Sequence, residues 1–197
     1  MRKYSMIIVS ALSALIATGM LASCGGQAPT ADIDAAKAAV AKADADGNTQ
    51  NYAPDSLAAA KDSLTKTLAA VDAKKFTDAK ALAQATVQAA NKAIADGQAG
   101  AAKAKDDATA LMGTLKASIT ETENAMAGAK KTRGIKLDFT ALTKDLNAAK
   151  TQVSDAQTDL NGNNYKSAIQ KGEAARSSLA NLLNRIAEGV RAASRKK

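Results

Sequence analysis

Alanine constrains this chain more than any other residue: it fills 49 of 197 positions, against 12 glycines and 2 prolines. Alanine is the strongest helix former and is depleted in strands, and so few glycines and prolines cannot supply the turns of an all-β sandwich. A side chain of one methyl lets helices approach closely but removes little apolar area from water when buried. The expectation is an all-α protein, an elongated antiparallel helical bundle of coiled-coil hairpins with thin cores, helped by helix propensity or self-association. The chain has no histidine, which removes the usual general base and the commonest transition-metal ligand. Its single cysteine excludes both a disulfide framework and a multi-cysteine metal site. No cofactor or metal is implied, and this set of side chains does not predict an enzyme.

The lone cysteine falls at a telling place. Residues 1–23 begin with Arg2 and Lys3, continue through an apolar run from Met6 to Ala22, and lead through small residues into Cys24. That pattern is a secretory signal, too short and wrongly flanked for a permanent span. Leu21-Ala22-Ser23-Cys24, followed by Gly25-Gly26, resembles the lipobox of bacterial lipoproteins. The resemblance implies cleavage before Cys24, acylation of its sulfur with palmitate-like chains, and tethering to membrane lipid. Two or three acyl chains meet the two signals that stable anchoring needs. Gly25 in place of aspartate implies, by the same resemblance, delivery to the outer membrane of a bacterial envelope. Residues 24–30 are then a lipidated tether.

Beyond the tether, apolar residues recur at spacings of three and four, the signature of helix seams. A first helix from Asp32 carries Ile33, Ala36, Val40 and Ala43 and is expected to stop at Gly47, with a loop over 48–53. Pro54 opens a second helix, where its missing N–H is harmless. Tyr52 and Leu57 stand at hydrophobic-staple spacing, and Leu57, Leu64, Leu68 and Val71 form the expected stripe. After a turn at Lys74-Lys75 a third helix carries Phe76, Ala79, Ala83, Val87, Ala90 and Ile94, with a break expected at Gly97 and Gly100. A fourth helix over about residues 101–131 turns Leu111, Leu115, Ile119 and Met126 inward. Asp138 caps a fifth with the cleanest heptad, Leu142, Leu146, Ala149, Val153, Ala156 and Leu160. A sixth runs from Tyr165 through Leu179, Leu182 and Ile186. About six helices result, divided into a first unit at 31–97 and a second at 98–197.

The two units are related. A shift of 89 residues brings Leu57 onto Leu146, Lys61 onto Lys150, Val71 onto Leu160 and Ala79 onto Ala168 without a gap. It also brings Phe76 onto Tyr165, although only four aromatics follow the signal segment. Two repeats, each a helix, a loop and a helical hairpin, are expected. The stretch from Asp34-Ala35-Ala36-Lys37 through Tyr52-Ala53-Pro54, then Leu57-Ala58-Ala59-Ala60-Lys61 and Phe76-Thr77-Asp78-Ala79, resembles the domain of unknown function 4398 family over about residues 34–95. The resemblance implies a short alanine-rich helical unit on an envelope lipoprotein, and it implies no activity. The second copy has Phe139-Thr140-Ala141 where the first has Tyr-Ala-Pro. Tetratricopeptide repeats differ in period and lack a counterpart of their Leu-Gly-Tyr pattern here.

Removing residues 1–23 leaves 25 basic and 19 acidic residues, a net charge of +6 that lies wholly in the second half. The excess gathers in Lys130-Lys131-Thr132-Arg133 and in the tail Arg191, Arg195, Lys196 and Lys197. Cations there complement helix C-termini. They would also suit anionic lipid or cell-wall polymer, and the tail is similar to the lysine-ended tail of murein lipoproteins, whose last lysine is attached to peptidoglycan. Nucleic acid is excluded as a partner by export and by the lack of interleaved aromatics. Asp44, Asp46, Asn48 and Asp55 imitate a calcium loop, but Gly47 falls at position four instead of six. Asp106-Asp107 reads as a dipole-favoured pair near a helix start. Two functions compete. One is a non-enzymatic lipoprotein serving as a membrane-anchored scaffold or adaptor for another envelope protein; the other is a structural lipoprotein that binds peptidoglycan through its tail.

Overall fold

The computed structural model describes residues 27–195. Six helices follow one another: α1 Thr30–Ala45, α2 Gly47–Tyr52, α3 Pro54–Asp72, α4 Phe76–Lys130, α5 Phe139–Asn161 and α6 Tyr165–Ser194. The described residues contain no strand, and the fold is all-α. The number of helices matches expectation, but two of their boundaries do not. The loop expected over 48–53 holds α2. The third and fourth expected helices are one, the 55-residue α4, which at about 1.5 Å per residue is about 80 Å long. The division expected between residues 97 and 98 falls inside it.

Both differences have one cause. Asp46 ends α1 and caps α2, its carboxylate accepting the Thr49 N–H at 2.7 Å and the Thr49 hydroxyl at 2.6 Å. That cap turns the segment into a helical turn, which then lies on α4 at very short range. A Cβ added to Gly97 would sit 2.6 Å from the Cα of Thr49, and one added to Gly100 would sit 2.7 Å from the Cβ of Tyr52. The two glycines are sites of backbone contact and do not end the helix. Each lowers helix propensity by about 1 kcal/mol relative to alanine, which the alanines on either side and the packing of α2 offset. Asp106 and Asp107 consequently lie in the middle of α4 instead of near a helix start, and Asp107 pairs with Lys103 one turn earlier at 2.5 Å.

The helices form two three-helix bundles that share α4. In the first, α3 runs antiparallel to α4, as the hydrogen bonds Ser56–Asp96 and Ser63–Thr86 require. Val40 and Ala43 pack with Leu57, Ala60 and Ala90, and α2 follows at Gly97, so α1 and α2 advance along α4 in its own direction. This core is made of small residues. Two of its buried threonines, Thr67 and Thr86, set their hydroxyl oxygens 3.0 Å apart, each also within hydrogen-bond reach of a carbonyl one turn earlier. Leu68, expected on the apolar stripe, is instead 36% exposed. On α3 the inward positions are Leu57, Ala60 and Thr67, and Leu68 falls outside that seam.

The second bundle joins α5 and α6 to the C-terminal half of α4, and its core holds Leu111, Leu115, Leu142, Leu146, Leu179 and Ile186. Here α5 runs antiparallel to α6, tied by Arg185–Asp145 and Ser167–Asp159, and antiparallel to α4, tied by Lys150–Glu123 at 2.5 Å.

The two hairpins have the same register. Lys74 (φ 57°) and Asn163 (φ 61°) are the left-handed residues of the α3–α4 and α5–α6 turns, 89 positions apart. The turn bonds from Ala73, Lys74 and Lys75 to Ala69, Val71 and Ala70 recur from Gly162, Asn163 and Asn164 to Thr158, Leu160 and Asp159. At the same offset every buried residue of α6 falls on a buried residue of α4, from Ala168 on Ala79 to Ala193 on Ala104. What changes is size: Ala90, Ala93 and Gly97 correspond to Leu179, Leu182 and Ile186. Truncating the larger core is therefore the more costly change. Leu146→Ala is expected to lose about 2 to 5 kcal/mol of unfolding free energy and Leu68→Ala less than about 0.5. Chemical denaturation of the two variants checks this, and equal losses would contradict the assigned seams.

Candidate functional site

The lipobox residues Leu21, Ala22 and Ser23 and the cysteine Cys24 lie outside the described residues, as do Lys196 and Lys197 of the tail. Arg191 and Arg195 are described, in the last turn of α6 and at its C-cap. The structure sets them beside the other basic segment. Leu137, in the connection between α4 and α5, lies so close to α6 that a Cβ at Gly189 would come within 2.6 Å of it. Ile135, Leu137, Phe139 and Val190 all pack on the second core. The C-termini of α4 and α6 thus lie at one end of the second bundle, and that end carries Lys130, Lys131, Arg133, Lys136, Arg191 and Arg195.

Electrostatics explain part of this arrangement. Lys130 and Arg191 stand in last turns, where each complements about half a negative charge from its helix. Lys130 also lies 5.7 Å above the centre of the Phe139 ring, within cation–π range. Lys131, Arg133, Lys136 and Arg195 exceed what two helix ends require, and among the described residues none of the four joins an ion pair. The nearest acidic positions in sequence are Glu188 and Asp138, and the Asp138 carboxylate already accepts the N–H groups of Thr140 and Ala141. Reading the two basic runs separately along the sequence hid their meeting. The signal was topological: an up-down-up bundle returns the ends of its first and third helices to one side.

The other candidates have structural partners. Asp44 pairs with Lys61 at 2.5 Å, and Asp46 is committed to the α2 cap. Among the described residues no three histidine, cysteine, aspartate or glutamate side chains gather as a metal site. The four aromatics all stand at helix ends: Tyr52 closes α2, and Phe76, Phe139 and Tyr165 open α4, α5 and α6.

Three carboxylates are held below the ordinary aspartate range. The Lys171 ammonium, then the Ser167 hydroxyl, lower Asp159. The Lys92 ammonium and the Ser56 hydroxyl do the same for Asp96, and the Thr49 hydroxyl and N–H for Asp46. Asp159 in turn raises Lys171. These groups hold helices together and are not poised for proton transfer near neutrality.

Residues 31–109 match the family model described as "Domain of unknown function (DUF4398)". This segment is similar to that family, and the match covers less than half of the chain. The match runs beyond the expected 34–95 and ends in α4, between Ala108 and Leu111. It covers α1, α2, the first hairpin and the contact of α2 with Gly97 and Gly100. No curated protein and no solved structure matches the chain.

A carboxylate whose pKa is lowered on folding contributes stability above its unfolded pKa, and that contribution disappears as the pH falls through the folded value. The melting temperature is therefore expected to fall on acidification from about pH 5 towards pH 2, and Asp159→Asn to lessen that fall. Melts followed by circular dichroism test this. An acid dependence in Asp159→Asn equal to that of the parent would contradict the role of the Lys171–Asp159–Ser167 cluster.

Proposed function

We propose that the protein is a non-enzymatic envelope lipoprotein, a membrane-anchored helical scaffold held by acylated Cys24. The observation that carries this reading is the separation of its two ends along α4. Its α1, which follows the tether, and α2 lie over the first half of α4, because Val40 packs with Ala90 and Thr49 with Gly97. The basic segments lie at the other end, about 60 Å beyond Ala90 by helix rise. A rod with a lipid at one end and surplus charge at the other can hold a partner away from the membrane. Leu68 is the one large hydrophobic residue exposed among the described residues, so recognition along the helix faces would be polar. The common register of the hairpins supports reading α5–α6 as a diverged copy of α3–α4.

The meeting of Lys131, Arg133 and Lys136 with the tail favours a second reading, in which the far end binds peptidoglycan or another anionic polymer of the envelope. Several cations on one small surface attract a polyanion more strongly than the same charges spread along a chain. One experiment with two parts tests both readings. Membrane fractionation is expected to find the parent with lipid and Cys24→Ala in the soluble fraction; Cys24→Ala remaining in the membrane fraction would overturn the anchor. Sedimentation with purified peptidoglycan is expected to retain the parent more strongly than chains lacking residues 191–197 or carrying Lys131→Gln, Arg133→Gln and Lys136→Gln. Equal retention of all three would dispose of the polymer reading and leave the scaffold.

A further inference from the structure

Where the two bundles meet along α4, the chain leaves a cleft of about 370 Å³ between α2 and the start of α6. Among the described helices, α1, α2 and α3 make no backbone contact with α5 or α6, so only α4 holds the two walls in place. Asn48, Asn51 and Tyr52 form one wall, and Asn164, Ser167 and Gln170 face them from the other. Asn163 and Lys166 complete the lining. Four of the ten asparagines of the chain therefore meet at one place, although they come from segments more than a hundred residues apart.

The chemistry of this lining is unlike that of the rest of the surface. It contains no carboxylate and a single ammonium, in a chain that is 23% charged. Asn48, Asn51, Asn164 and Gln170 are exposed, and their carboxamides take no part in the side-chain hydrogen bonds among the described residues. By contrast the Asn163 oxygen accepts from the Tyr165 hydroxyl, and Ser167 donates to Asp159. Each free carboxamide offers two donors and an oxygen acceptor, which suits a ligand whose own groups both donate and accept. Tyr52 adds a half-buried ring, its Cβ close against Gly100. An aromatic face with a polar edge suits the C–H face of a sugar ring. The volume lies near the lower end of ligand sites, about 300 to 1,000 Å³.

We propose that this cleft binds a short neutral oligosaccharide, its hydroxyl groups held by Asn48, Asn51, Asn164 and Gln170 and one ring stacked on Tyr52. One ammonium makes a poor site for a polyanion, which distinguishes the cleft from the basic end. A peptide in extended form would need an open strand edge or apolar side-chain pockets, and the lining offers neither. The site does not depend on the anchor or on the basic tail.

The test uses the full-length lipidated protein in detergent, titrated with N,N′,N″-triacetylchitotriose and, separately, with maltotriose. The chain has no tryptophan, and Tyr52 lines the cleft while Tyr165 adjoins it, so tyrosine fluorescence reports on the site directly; calorimetry supplies a second measurement. A saturable response to at least one sugar in the millimolar range or tighter is expected. Asn51→Ala and Gln170→Ala alter exposed side chains without internal bonds, and each is expected to weaken binding about tenfold with helix content unchanged. Lys131→Gln, at the far end, is expected to bind as the parent does. No saturable response to either sugar overturns the proposal, as does undiminished binding by both cleft variants. A response to capped tetraalanine with none to the sugars also overturns it, in favour of a peptide groove.

Discussion

Two helices can lie closer together when the residues between them are alanine or glycine, and the spine of this protein depends on that close approach. A helix of 55 residues is not held straight by propensity alone; most helical stability in proteins comes from packing against neighbours. Here α1, α2 and α3 cover the first half of α4 and α5 and α6 cover the second. The region around Gly97 and Gly100, the weakest part of the helix by propensity, is where α2 is nearest. The glycines that would loosen α4 in isolation are the ones that admit the backbone of Thr49 and the side chain of Tyr52. The two bundles keep one axis because the helix they share passes through that contact unbroken.

Much of this architecture was legible in the sequence, because periodicity and helix-end chemistry are local. The turn at Lys74-Lys75, the Asp138 cap and the heptad of the fifth helix lie where spacing put them, and the four aromatics mark helix ends as their positions relative to Pro54 and Asp138 suggested. The illegible parts depend on distance between helices. A glycine that ends a helix and a glycine that receives another backbone are identical in the sequence. Apolar spacing alone places Leu68 on the stripe, whereas the seam of α3 buries Leu57, Ala60 and Thr67 and leaves Leu68 outside. The meeting of Lys131 and Arg133 with Arg191 and Arg195, and of Asn51 with Asn164, joins positions whose proximity no local pattern encodes.

The larger core of the second bundle fits its position. In the first bundle α1, α3 and the short α2 all pack on α4, whereas the second has only α5 and α6 to hold the end of α4, and leucines supply more buried area per contact. The segment that matches the DUF4398 model, the second hairpin and the shared spine form a rod whose surface chemistry varies along its length. Alanine-rich helix faces cover the first half, carboxamides gather at the junction and cations at the end. The carboxylates with lowered pKa serve helix caps and ties between helices.

The continuity of α4 is the claim on which both the rod and the cleft rest. Electron–electron double resonance between spin labels at Lys80→Cys and Asn124→Cys measures it, since both positions are exposed and the pair spans Gly97 and Gly100. An unbroken helix predicts one narrow distance distribution centred near about 66 Å between the backbone positions, at about 1.5 Å per residue. A markedly shorter distance, or a broad distribution reaching below about 50 Å, would mean that α4 bends or breaks between the two bundles and would contradict the account.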